Sequence, residues 1–166
     1  LTAGYLPLAL TIMTDEIYNA FYDDYKELKA FMHSHSFTGN PLSCTAAVES
    51  LKIFDEEDIL KRNEIKSQLI NDYAKEYFDY HKYIGEYRQL GMVGAIELVE
   101  DKITKKPFDW KKRVGYEIYK IALRKGLLIR PLGNVIYFMP PYVIDERDIK
   151  FMIEETYNSI NEFLNS

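Results

Sequence analysis

The chain has 166 residues, 47% of them hydrophobic and 28% charged, with a formal charge of −5. That composition belongs to a folded globular protein with enough chain for one good core or two small ones, and its acidic balance argues against a nucleic-acid footprint, which needs locally dominant Lys and Arg. No stretch of about 18 apolar residues could span a bilayer, no charged-then-apolar leader opens the chain, and the single Cys44 excludes an internal disulfide framework and a cysteine-based zinc cluster; a cytoplasmic protein without a membrane partner is expected.

The chain opens at Leu1 in the apolar stretch LTAGYLPLALTIM, which reads as loop and strand with nothing ahead of it to pair with, as in a piece cut from a longer protein. A first helix is predicted from a Thr14 N-cap through DEIYNAFYDDYKELKAF, with Ile17, Phe21 and Tyr25 on one face. Asn40 followed by Pro41 is the expected start of a second helix, along which Cys44, Ala47, Val48 and Leu51 recur at helical spacing. A third covers about residues 57–80, with Ile65, Leu69, Tyr73 and Tyr77 four apart and a break near Glu56. Many of the fourteen tyrosines fall at such spacings, and amphipathic packing accounts for most of them.

The stretch YRQLGMVGAIELVE is strand-like, and a fourth helix in DWKKRVGYEIYKIALRKG closes at Gly126. LLIRPL and VIYFMPPYVI then form a strand pair around Gly133-Asn134. A last helix starts at Asp145 and buries Ile149, Ile153, Ile160 and Phe163. From about residue 55 the order predicts an α+β domain, helices on one face of a small and largely antiparallel sheet, while residues 1–54 do not make a domain alone.

The segment MHSHSFTGNPLSC concentrates chemistry-bearing groups. His33 and His35, two apart, could place two metal ligands on one face of a strand, but a site needs three or four and no others stand nearby, so no metal is expected. No GxSxG elbow supports a serine nucleophile. The hydroxyls of Ser34, Ser36 and Thr38 lie just ahead of a helix N-terminus, which suits either a bound anion or simple capping and turning of the chain. Arg130 ends an apolar strand rather than standing on a helix surface, and a guanidinium there takes a ligand carboxylate or phosphate, or else a structural ion pair.

FMHSHSFTGNPLSCTAA and LLIRPLGNVIYFMPPYVI, supported by LTAGYLPLALT and GMVGAIELVE, resemble the corresponding blocks of class III pyridoxal-phosphate aminotransferases over essentially the entire chain, most closely their biotin-synthesis branch. The resemblance implies a fold-type I enzyme in which residues 1–54 are the end of the large α/β cofactor-binding domain and residues 55–166 the small C-terminal α+β domain. It implies pyridoxal 5'-phosphate as cofactor, a homodimer, and S-adenosylmethionine and 8-amino-7-oxononanoate as small-molecule substrates. Ser36, beside His35, stands where the family contacts the cofactor phosphate of the partner subunit. Arg130 stands where it holds the keto-acid carboxylate, Tyr137 where it lines the substrate pocket, and Ser34 where it usually has Gly beside the substrate. The Schiff-base lysine precedes the LTAGY block in the family, so no catalytic lysine is expected within this chain, which alone should not transaminate. The alternatives are another class III member, acting on an ω-amino acid or ornithine, and a non-catalytic module that dimerises or regulates.

Overall fold

The computed structural model describes residues 1–165, and the chain divides into two compact units, Leu1–Asp58 and Ile59–Ser166.

Unit 1 is mostly irregular chain around two helices. Helix α1, Asp15–Phe21, starts where the sequence predicts, with Thr14 Oγ1 accepting from Ile17 N at 3.5 Å. It stops ten residues short of the predicted end. Tyr22 turns extended, and Asp23 satisfies the next backbone itself, its carboxylate accepting from Asp24 N at 2.8 Å and from Lys29 Nζ at 2.6 Å. Short acidic side chains compete with the helix for N–H groups in this way. A 3₁₀ turn, Tyr25–Glu27, replaces the missing length. Helix α2, Pro41–Glu56, buries Ser43 and Ala47, whereas Cys44, Val48 and Leu51 are exposed.

Unit 2 holds the core. Helix α3, Ile59–Phe78, follows the predicted break, made by Asp58 in the left-handed region at φ 50°. Its buried residues are Asn63, Ile70, Ala74 and Phe78, so the inward stripe is rotated from the predicted one and Ile65 faces solvent. Strands β1, Ile84–Leu90, and β2, Val93–Asp101, form a hairpin turning at Gly91, φ 55°. A short β3, Lys106–Pro107, pairs with β2. Helix α4, Val114–Arg124, presents Val114, Ile118, Ile121 and Ala122 inward at i, i+4, i+7, i+8. Strands β4, Arg130–Leu132, and β5, Val135–Phe138, turn at Gly133, φ 61°. Helix α5, Glu146–Leu164, is capped by Asp145, whose carboxylate accepts from Asp148 N at 2.8 Å.

The sheet is antiparallel throughout, in the order β1-β2-β5-β4 with β3 beside β2. One face carries Ile96, Leu98, Ile136 and Phe138 into a core completed by Phe78, Ile118, Ile149 and Ile153. Each such side chain contributes about 1.5–3 kcal/mol relative to exposure, well above the roughly 0–1 kcal/mol of the exposed ion pairs. Tyr77 Oη donates to Glu154 Oε1 at 2.7 Å and ties α3 to α5, and this carboxylate pushes the phenol up to about 12. The expected α+β arrangement, helices against one face of a small sheet, is the one observed.

Candidate active site

The face of the sheet opposite the core is set by alternation. Because Ile136 and Phe138 point inward, Val135 and Tyr137 point outward, and pairing places Arg130 opposite Tyr137, Tyr137 opposite Ala95 and Ala95 opposite Arg88. Four strands thus build the row Arg88–Ala95–Tyr137–Arg130, its neighbours about 4.8 Å apart. The two arginines differ in one decisive respect. Arg88 is neutralised by Glu97 at 2.9 Å and Glu86 at 3.4 Å, whereas Arg130 has no carboxylate within ion-pair distance among the described residues.

The guanidinium of Arg130 lies 5.8 Å from the Tyr137 ring centroid, within cation–π reach. Both residues border a cleft of about 450 Å³ whose other walls include Tyr116, Leu128, Ile129 and Pro131. Tyr116 is held from outside by Arg113, 4.2 Å from its ring centroid, with Lys120 Nζ at 5.5 Å and the Tyr119 ring stacked at 5.8 Å. An apolar cleft with cations at its edge suits a ligand with a hydrocarbon body and an anionic end. Sequence reasoning misses Tyr116 and Tyr119, which read as amphipathic helix residues. The signal that could have found them is the Arg113-x-x-Tyr116 spacing, which brings a guanidinium onto a ring one helical turn away.

Residues of the other candidate segment are all in unit 1. His33 and His35 meet edge to face at 5.3 Å, and among the described residues no third side chain joins them in a group that could hold a metal. Residues 36–39 turn the chain: Thr38 N donates to His35 O at 2.9 Å, His35 N donates to Thr38 Oγ1 at 3.1 Å, and Gly39 takes φ 72°. The helix end behind the turn is closed to a ligand. Asn40 Oδ1 accepts from Leu42 N at 3.0 Å and Ser43 N at 3.2 Å, and Pro41 has no N–H to offer. An anion here therefore depends on hydroxyls. Thr38 uses its own in the turn, while Ser36 is exposed with its hydroxyl unengaged among the described residues. Ser34 does not take a positive φ, so its backbone does not require glycine.

The family model described as Aminotransferase class-III matches residues 1–160. An adenosylmethionine-8-amino-7-oxononanoate aminotransferase of Geobacter sulfurreducens is 42% identical over 161 residues, covering 97% of this chain and 35% of the relative. Its counterpart in Aquifex aeolicus is 40% identical, covering 98% and 36%. The chain thus spans about a third of the length of the curated relatives it matches. Among solved structures, the enzyme of that name from Methanocaldococcus jannaschii superposes with a TM-score of 0.92 at 39% identity, over 97% of this chain and 36% of that one. A Bacillus anthracis aminotransferase superposes with 0.89 at 32% identity, over 97% and 37%.

Proposed function

Because this chain belongs to the class III aminotransferases, we propose that it is the C-terminal part of a transaminase of biotin synthesis, which moves an amino group from S-adenosylmethionine to 8-amino-7-oxononanoate and yields 7,8-diaminononanoate. In this reading residues 1–54 end the large cofactor-binding domain and residues 55–166 form the small domain. The reading is supported by relatives of that name at 40–42% identity, and the observation that carries it is the Arg130 guanidinium, without a carboxylate partner among the described residues, beside Tyr137 over an apolar cleft.

8-Amino-7-oxononanoate has the shape that this cleft suits, a methylene chain ending in a carboxylate. Arg130 binds the carboxylate, Tyr137 lines the path of the chain, and Ser34 stands beside the substrate. Pairing to a guanidinium that is already positioned fixes the distance from the carboxylate to the reacting carbonyl, so this charge orients as well as binds.

The residues present fit a phosphate-bearing cofactor, since Ser36 offers an unengaged hydroxyl in an exposed turn next to His35. Pyridoxal 5'-phosphate, when bound, supplies the electron sink for amino-group exchange. Ser36 and His35 hold the phosphate end of the partner subunit's cofactor in a homodimer, and the many apolar side chains that unit 1 exposes, Ile12, Leu28, Phe31 and Met32 among them, accord with a surface that is covered in the assembly. No lysine of the chain is buried, whereas an amine that forms a Schiff base at neutral pH is normally desolvated.

The test compares the chain alone with its complete gene product, each given pyridoxal 5'-phosphate, S-adenosylmethionine and 8-amino-7-oxononanoate, with diaminononanoate measured by mass spectrometry. The complete product should turn over and the chain alone should not. Turnover by the chain alone, or a complete product inert with this pair but active on ornithine, overturns the reading.

A further inference from the structure

The β4–β5 turn joins Arg130 to Tyr137 and is held from three sides. Gly133 lies against α4, where its carbonyl oxygen leaves no room for a Cβ at Gly115. The main-chain carbonyl of Asn134 accepts from Leu98 N of β2 at 2.9 Å. The Asn134 side chain supplies the third hold, its Nδ2 donating at 2.8 Å to the carbonyl oxygen of Phe108, whose own side chain is in the core.

Backbone conformation does not account for an asparagine at this place. Two-residue hairpin loops favour asparagine where φ is positive, but here Gly133 takes the positive φ, 61°, and Asn134 does not. Packing does not account for it either, since Oδ1 is buried with no donor among the described residues, which is unfavourable. What the carboxamide achieves is the bond to Phe108. That carbonyl opens the segment that runs through the 3₁₀ turn Trp110–Lys112 to Arg113, whose guanidinium stands 4.2 Å from the Tyr116 ring centroid. One side-chain hydrogen bond thus ties the segment ending in Arg113 to the hairpin that carries Arg130 and Tyr137.

We propose that Asn134 is a positioning residue for the carboxylate end of the acceptor, holding the β4–β5 turn so that Arg130 stays in register with Tyr137. The proposal rests on the reading of Arg130 given above. Arg130 pairs with Tyr137 and Leu132 with Val135 across this turn, and because side chains alternate along a strand, a shift of one residue would put Arg130 and Tyr137 on opposite faces. A smaller loosening misdirects the guanidinium, and its pairing with a carboxylate depends on that direction. Asn134 acts through Arg130, so its effect falls on the charge of the acceptor and not on the hydrocarbon body.

The experiment measures kcat/KM of the complete enzyme for 8-amino-7-oxononanoate and for its methyl ester, which has the same chain and no charge for Arg130 to bind. The parent should prefer the acid by about 30-fold or more. Asn134→Ala and Asn134→Asp, the second of which keeps the shape of the side chain but has a carboxylate that cannot donate to Phe108, should each lower that preference about threefold to tenfold, the range for one lost hydrogen bond. Ile149→Val, which loosens the core on α5, should leave the preference as in the parent. A fall of the same size in Ile149→Val means that lost stability is enough and overturns the proposal, as does an acid preference unchanged in both Asn134 variants. A parent enzyme that does not prefer the acid, or is inert toward both acceptors, overturns the reading of Arg130 and the proposal with it.

Discussion

Arg130 is available to a ligand because of where the strand puts it. Burial of Ile129 and pairing with β5 turn its guanidinium outward beside Tyr137, while the acids on that face of β1 and β2, Glu86 and Glu97, lie two or more strands away and pair with Arg88. What the sequence shows at Arg130 is an arginine closing an apolar strand, which calls for an anionic partner, either a ligand's or the protein's own. Which of the two it has is not legible there, because ion pairing depends on cross-strand register. The serines split similarly. By position Ser34, Ser36 and Thr38 are equivalent and the resemblance alone singles out Ser36, while the capping geometry of Asn40 explains why a hydroxyl, and not the helix end, is what a phosphate would meet. Ser36→Ala in the assembled enzyme should weaken cofactor retention about tenfold or more, the value of a hydrogen bond to a charged group at roughly 1.5–3 kcal/mol. Titration of pyridoxal phosphate followed by its absorbance checks this, and unchanged affinity removes Ser36 from the phosphate site.

His81 makes a second prediction at this scale, one that concerns stability. Its Nδ1 accepts from Tyr83 N at 3.2 Å, so Nε2 carries the proton and donates to Asn161 Oδ1 at 3.2 Å. Burial holds the imidazole below its ordinary value of 6.5, Asn161 opposes that, and Lys102 and Lys82 add to it. Between the lowered folded value and 6.5 the unfolded chain binds more protons, so the contribution is complete above pH 6.5 and is lost as the pH falls below it. Denaturant unfolding from pH 7.5 down to 5 should show this loss, and His81→Gln should flatten it. An unaltered pH profile in the variant contradicts the assignment.

At the scale of elements, α2, α4, α5 and the β4–β5 hairpin are where capping residues, periodicity and a turn glycine put them, because those signals are local, while the β1–β2 turn at Gly91 interrupts a stretch that reads only as strand-like. The errors have tertiary or competing causes. α1 is cut short by Asp23, and α3 turns Ile70, Ala74 and Phe78 inward because the sheet and α5 cover that face, which spacing four residues apart could not reveal. Packing of α4 on the β4–β5 turn is what places Arg130 beside Tyr116. Gly115 sits at that contact, where an added Cβ would come within 2.4 Å of the Gly133 carbonyl oxygen and 3.3 Å of Pro131 Cβ. Alanine would raise helix propensity by up to about 1 kcal/mol, but the clash is with backbone, and overpacking of this kind costs about 1–3 kcal/mol. Gly115→Ala should therefore destabilise the chain by roughly 1–2 kcal/mol, read as a lower denaturation midpoint at unchanged m-value. A stabilised variant would mean that α4 and the turn do not pack as described.

For the molecule as a whole, composition and charge narrow the class, and the two family blocks narrow the chemistry and, by resemblance, already set the phosphate contact and the carboxylate contact in separate segments, which composition and periodicity alone do not. Unit 1 carries Ser36 and His35 and unit 2 carries Arg130 and Tyr137, so the proposed enzyme draws its phosphate contact and its carboxylate contact from different units. The central claim is that Arg130 grips the keto acid and has no comparable role toward the amino donor. The direct measurement is single-turnover kinetics of the two half-reactions in the complete enzyme carrying Arg130→Ala, with Arg130→Lys as a charge-retaining companion. The account predicts that kcat/KM for 8-amino-7-oxononanoate falls by about 30-fold or more, corresponding to roughly 2–4 kcal/mol for a broken charged pair, while the half-reaction with S-adenosylmethionine is nearly unchanged and lysine restores only part of the loss. Equal losses in both half-reactions, or no loss in either, would contradict it.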